Sequence, residues 1–217
     1  MNTIQCVIFD LDGTLLDTSP GITESVRFAA EKLGYPALTE ELLLSFIGPP
    51  LKDSFMRCCV CGEAQAEALV AAYREHYREG ALLNARPYDG IKELLAALGD
   101  RGICCAVATS KPQVFSEQIL RHFGLDRFLR VIHGADLGGK LKKSDLIRLC
   151  AADIGAACNE CVMVGDTEHD ARGAEEAGVS FIGVSYGFGN HTEMRRYPCI
   201  GMADKPLDIL GILDETD

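Results

Sequence analysis

The sequence predicts an α/β fold, a doubly wound, Rossmann-like parallel sheet into which an all-helical cap is inserted. Three observations predict it. One short apolar run, Cys6-Val7-Ile8-Phe9, stands alone near the start and reads as a buried strand. From there to about Asn84 the chain carries only helical patterns. Beyond Asn84, short apolar runs alternate with helical segments, which implies parallel strands joined by right-handed crossovers. On this reading residues 1–17 and 85–217 form the core domain and 18–84 the cap.

The elements follow in order. Ser19-Pro20 reads as an N-cap followed by proline at the first helical position. Ile22, Val26, Ala29, Ala30 and Leu33 then share one helical face, and Gly34 ends the run. Leu42, Leu43, Phe46 and Ile47 mark a short helix broken at Gly48-Pro49-Pro50, and Leu51–Cys59 a further one. Glu63–Arg78 is longer, with Ala66, Leu69, Val70, Tyr73 and Tyr77 spaced for one face. In the core, Asp89-Gly90 precedes a helix through Leu94, Leu95 and Leu98. Strands follow at 103–108, 130–133, 161–164 and 179–184. The helices between them run over 113–123, 143–154 (with Leu146, Ile147, Leu149 and Cys150 inward) and 170–177.

Bulk properties narrow the classes. The chain has 217 residues, 47% of them hydrophobic and 24% charged, as in ordinary globular proteins. A formal charge of -11 and a pI near 4.9 oppose nucleic acid or an anionic membrane as partner. No apolar run approaches a membrane span, and the first strand begins without a basic-then-apolar leader. A cytoplasmic location is therefore expected. The ten cysteines include one tight cluster, Cys58, Cys59 and Cys61, with no second Cys/His pair at zinc spacing. Cys158 and Cys161 lead into a strand rather than opening a helix as a redox pair would. The thiols are read as buried or incidental.

Polar groups stand where strands end. Asp10 and Asp12 follow the first strand, and residues i and i+2 of an extended chain point the same way. Two like charges that close need a cation or a shared proton; Gly13 allows a tight turn, and Thr14 adds a hydroxyl able to bond an anion. The same stretch also fits a solvated Asp-Gly turn. Thr109 closes the second strand ahead of Ser110-Lys111-Pro112, a place for phosphate oxygens or simply a helix start. Lys143 opens a helix after a glycine-rich stretch and offers a point charge to a phosphoryl group. Lys140 and Lys142 compete for that role. Asp166 and Asp170 flank the fourth strand's end, where carboxylates suit a hard cation such as magnesium or a helix dipole. His169 between them reads as a surface or supporting residue.

Asp10-Leu11-Asp12-Gly13-Thr14, Thr109, Lys143 and Gly165-Asp166…Asp170 together resemble the four ordered signatures of haloacid dehalogenase (HAD) superfamily phosphatases with a helical C1-type cap. Phe46–Leu51 and Tyr88-Asp89-Gly90-Ile91 are similar to the phosphoglycolate-phosphatase-like and 5′-nucleotidase-like branch. The resemblance implies a phosphomonoester hydrolase acting on a small phosphometabolite. In it Asp10 is the nucleophile and Asp12 the general acid and base. Asp10, the main-chain carbonyl of Asp12, and Asp166 hold Mg²⁺. Thr109, Ser110 and Lys143 bind the phosphoryl group, and Asp170 orients Lys143 or a metal-bound water. Gly48 and Pro49 in the cap are expected to contact the leaving group. A phosphosugar mutase and a phospho-receiver domain are the alternatives, and a monomer or homodimer is expected, with no nucleic-acid or membrane partner.

Overall fold

The computed structural model describes residues 3–136 and 141–215. In chain order, β1 (Cys6–Phe9) and the two-residue β2 (Leu16–Asp17) lead to α1 (Ser19–Lys32), α2 (Glu40–Leu44), α3 (Leu51–Cys58) and α4 (Glu63–Arg78). The two-residue β3 (Arg86–Pro87) pairs with β2. Then come α5 (Ile91–Asp100), β4 (Cys104–Pro112), α6 (Gln113–His122), β5 (Val131–Ala135), α7 (Lys143–Ile154), β6 (Cys161–Gly165), α8 (Glu168–Ala177) and β7 (Ser180–Val184). The chain closes with α9 (His191–Met194), β8 (Gly201–Ala203) and α10 (Asp208–Asp214).

Two compact units result, one running up to Leu16 and again from Pro87, the other spanning Asp17–Arg86. The larger contains a six-stranded sheet of order β5-β4-β1-β6-β7-β8, parallel throughout. Central parallel strands are covered on both faces and so read as unbroken apolar runs; every residue of β1 and β6 is buried. The chain leaves β1 toward β4 and β5, then returns to β1's other side for β6, β7 and β8. Ligands of such sheets sit beyond the carboxyl ends of the strands at this reversal, here the ends of β1, β4 and β6.

The smaller unit is helical. α1 and α4 pack together, as do α3 and α4, with Phe28 stacked on His76, Phe46 edge-on to Phe55, and Tyr73 stacked on Tyr77. No described helix is long and apolar enough to cross a membrane. All ten cysteines are free thiols.

Several local expectations need correction. Ser19 is not the N-cap of α1: the helix starts at it, and Asp17 Oδ1 accepts from both its amide (3.1 Å) and its hydroxyl (2.6 Å). Leu33 is 41% exposed, because it follows the last helical residue and leaves the apolar face. Leu149 is also exposed; the buried arc of α7 is Leu146, Ile147, Cys150 and Ala151. β4 runs on to Pro112 through a pairing irregularity after Thr109. The short β8, with α9 and α10, adds to the sheet beyond the last strand expected.

Candidate active site

The first two carboxylates follow β1 directly. Asp10 donates its amide to Val164 O (2.9 Å) on β6, and its side chain is 6% exposed. Gly13, at φ +85°, closes a tight turn in which the amides of Leu15 and Leu16 both donate to Leu11 O at 3.0 Å. The turn aims Asp10 and Asp12 at different lysines.

Lys143 reaches in from the first turn of α7, its side chain 7% exposed. Its ammonium donates to Asp10 Oδ1 (2.8 Å) and Ala108 O (3.1 Å). It also lies 2.8 Å from Asp170 Oδ1, a close ion pair outside good hydrogen-bond alignment. Burial works against its charge, but Asp10 and Asp170 outweigh that and hold its pKa above the ordinary lysine range. Lys142 is exposed, and its amide is capped by Asp145. Lys140 lies outside the described residues.

Asp166 and Asp170 come from the end of β6 and the first turn of α8, and both are fully buried. Thr167 is the N-cap of α8, and Asp170 Oδ2 accepts from both its amide (3.0 Å) and its hydroxyl (2.6 Å). Asp166 accepts from the Thr14 hydroxyl and the Phe188 amide. The Thr14 hydroxyl, expected to serve an anion, is thus committed to a protein carboxylate.

Carboxylate oxygens of Asp10, Asp166 and Asp170 lie within 4.8 Å of one another. Three buried anions so close raise each other's proton affinity. Burial, opposed by Lys143 and reinforced by Asp170 and Asp12, lifts the Asp10 carboxyl to about 6. Burial together with Asp170 and Asp10 pushes Asp166 well above the usual carboxylate range. The charge of one lysine does not balance three carboxylates, and such a donor set suits a hard divalent cation. The cluster joins Asp10 to the Asp166 and Asp170 pair; the Asp12 carboxylate is not part of it, the Asp12 group named for the metal being its main-chain carbonyl.

Asp12 is held instead by Lys111, which lies in a stretch whose sequence suits a phosphate site or a helix start. Lys111 Nζ lies 2.9 and 3.1 Å from the two Asp12 oxygens, and its side chain is 4% exposed. It sits within the β4 irregularity, two residues beyond Thr109. That i, i+2 spacing on extended backbone was the available signal. Thr109 is buried, and its hydroxyl accepts the Lys111 amide (3.2 Å). Ser110 is exposed. His169 is half-buried, and Arg172 donates to its Nδ1 (2.8 Å), so it stands outside the carboxylate group. Gly48 and Pro49 belong to the helical unit, between α2 and α3.

Residues 7–184 match the model of the haloacid dehalogenase-like hydrolase family. A 5′-nucleotidase of Pseudomonas aeruginosa is 46% identical over 192 residues, covering 88% of this chain and 87% of that protein. A phosphoglycolate phosphatase of Thiobacillus denitrificans is 32% identical over 193 residues, 85% of each. The crystal structure of a predicted phosphatase from Clostridium acetobutylicum superposes with a TM-score of 0.92 at 37% identity, covering 99% of this chain and 100% of that one.

Proposed function

The chain belongs to the haloacid dehalogenase-like hydrolases and is a phosphatase, and from that premise we propose a Mg²⁺-dependent phosphomonoester hydrolase working through an aspartyl-phosphate on Asp10. The observation that carries this reading is the buried trio Asp10, Asp166 and Asp170 gathered around one buried lysine. Asp10, Asp166 and the Asp12 main-chain carbonyl would hold Mg²⁺, with Asp170 close enough to join or to hold a bound water. The ion would offset negative charge on the phosphoryl group.

The residues divide the work. Asp10 attacks phosphorus, and the bond to the leaving oxygen breaks. Asp12 gives its proton to that oxygen, then takes one from the water that cleaves the aspartyl-phosphate. Lys143 keeps Asp10 oriented and places positive charge beside the phosphoryl oxygens, in a reaction run mainly by positioning and electrostatics. The Thr109 hydroxyl and nearby amides, with Ser110 at the rim, receive those oxygens. Asp170 anchors Lys143 to α8.

Lys143→Ala should therefore cost at least about a hundredfold in kcat/KM, the scale of losing one preorganised electrostatic donor. Lys142→Ala should stay within about threefold of wild type, since an exposed side chain contributes little. Steady-state kinetics on both variants checks this, and a larger loss at Lys142 would reassign the role.

The substrate we propose is a small phosphometabolite of the phosphoglycolate or nucleoside monophosphate kind, with the helical insert (residues 18–84) as a cap that chooses among them through Gly48 and Pro49. A Mg²⁺-supplemented panel of phosphoglycolate, nucleoside monophosphates, sugar phosphates and pyrophosphate tests it. Leu51→Ala, just past that turn, should reorder the ranking while sparing p-nitrophenyl phosphate. An unchanged ranking would make the turn structural. Return of the phosphoryl group to a hexose phosphate, seen by product analysis, would favour a mutase instead.

A further inference from the structure

After β7 the chain forms a loop, residues 185–190, that none of the four signatures includes. It closes on Asp166. The Phe188 amide donates to Asp166 Oδ2 at 2.8 Å, while the Thr14 hydroxyl donates to Oδ1 at 3.3 Å. Each carboxylate oxygen thus already holds one protein donor. Backbone approach is so close that a side chain has no room: a Cβ at Gly187 would overlap Asp166 Cβ and Gly13 O, and one at Gly189 would overlap Asp166 O. These are main-chain neighbours or a fully buried side chain, so they cannot swing aside.

The loop is also fixed at both ends. Ser185 donates its amide to Ala203 O (2.9 Å) and its hydroxyl to Asp204 (2.5 Å). Asn190 accepts the Thr192 amide (2.9 Å) to cap α9. In the middle, the Tyr186 hydroxyl donates to Thr14 O (3.2 Å), and its ring lies 4.8 Å from that of Tyr88. Tyr88 in turn donates its amide to Leu15 O (3.2 Å). The loop, the turn after β1 and Asp166 are one interlocked piece.

We propose that the 185–190 loop positions Asp166 as a rigid ligand and thereby gives this site its preference for Mg²⁺ over Ca²⁺. The physical reason lies in what each ion tolerates. Mg²⁺ requires near-octahedral oxygens at about 2.0–2.1 Å, whereas Ca²⁺ accepts six to eight at about 2.3–2.6 Å and often takes a carboxylate through both oxygens. A carboxylate held by one donor on each oxygen, and packed against backbone, cannot rotate to chelate. Freeing it removes the geometry that Mg²⁺ needs and leaves Ca²⁺ little affected. Residues that orient a metal ligand commonly govern affinity over about ten- to a hundredfold. The inference rests on the Mg²⁺ reading above.

The test is isothermal titration of the 217-residue chain, without substrate, by Mg²⁺ alone and by Ca²⁺ alone. Wild type is compared with Gly187→Ala and with Tyr186→Phe, which removes a single hydrogen bond and retains the fold. Gly187→Ala should weaken Mg²⁺ by about tenfold or more with Ca²⁺ within about threefold, and Tyr186→Phe should shift the ratio the same way by less. If both ions weaken equally, or neither does in the folded variants, the loop is packing alone and the proposal is overturned. If wild type binds neither ion, the Mg²⁺ reading fails first and the inference goes with it. Ca²⁺ binding as tightly as Mg²⁺ to wild type would overturn the selectivity while leaving the metal site standing.

Discussion

Asp10→Asn should abolish turnover, by about a thousandfold or more on the scale that loss of a nucleophile sets elsewhere, while leaving the protein folded. An amide fills the same space but does not attack phosphorus. The stability half of the expectation follows from the site's electrostatics. Burial, opposed by Lys143, raises the Asp10 carboxyl from 3.8 to about 6 in the metal-free protein. Between those values the folded state holds a proton that the unfolded chain has released. Stability from the protonated form is therefore present below about 4 and is lost as pH rises through about 6. At neutral pH the ionised Asp10 is a net cost, and asparagine removes it while its amide oxygen can still accept from Lys143. Thermal melts at pH 7 without metal should show the variant as stable as wild type or more so. Activity within tenfold of wild type in such a folded variant would sink Asp10 as the nucleophile.

The parts of this molecule legible in the sequence were those governed by local pattern. β1 and β6 are short, wholly apolar and followed at once by acidic residues, so their type and polarity could be read without any partner strand. α7 and α8 carried enough periodicity to place Lys143 and Asp170 near helix starts. The illegible parts depend on partners distant in sequence. The i, i+2 spacing from Thr109 turns Lys111 toward the same side, but it does not name Asp12 as the partner; the ion pair spans the distance from the β1 turn to the end of β4 and exists only because those strands are neighbours. Thr14 looked available to an anion because its acceptor, Asp166, lies 152 residues away. Gly187 and Gly189 carry no local mark of their role, since the atoms they must clear belong to β6's end and the first turn. β8 is three residues long and contains a glycine, too little signal for a strand whose existence depends on pairing with β7. Leu149 shows the reverse error: apolar type alone put it inward, and the helix turned it out.

Asp166→Asn should separate stability from metal binding more cleanly than any other single change. Asp166 is fully buried, and burial with Asp170 and Asp10 holds its proton affinity well above the usual range. A group so raised favours the fold below its unfolded value, and that stability is lost as pH rises from there through the folded-state value. Replacing it with a neutral isostere removes that loss. The local hydrogen bonds can survive the change: the amide oxygen can accept from Phe188 N, and the amide nitrogen can donate to the Thr14 hydroxyl, which both gives and receives. Metal-free Asp166→Asn should thus melt higher than metal-free wild type at pH 7. Addition of Mg²⁺ should reverse the order. Wild type gains stability as the ion fills the site, about 2.7 kcal/mol at a hundredfold excess over Kd, whereas the variant has lost one charged oxygen ligand and gains little. Turnover of p-nitrophenyl phosphate should fall with it, and the half-saturating Mg²⁺ concentration should rise. Paired melts with and without Mg²⁺, read beside that titration, make the check. Equal Mg²⁺-induced shifts in the two proteins would take Asp166 out of the metal site and leave its buried charge without a function.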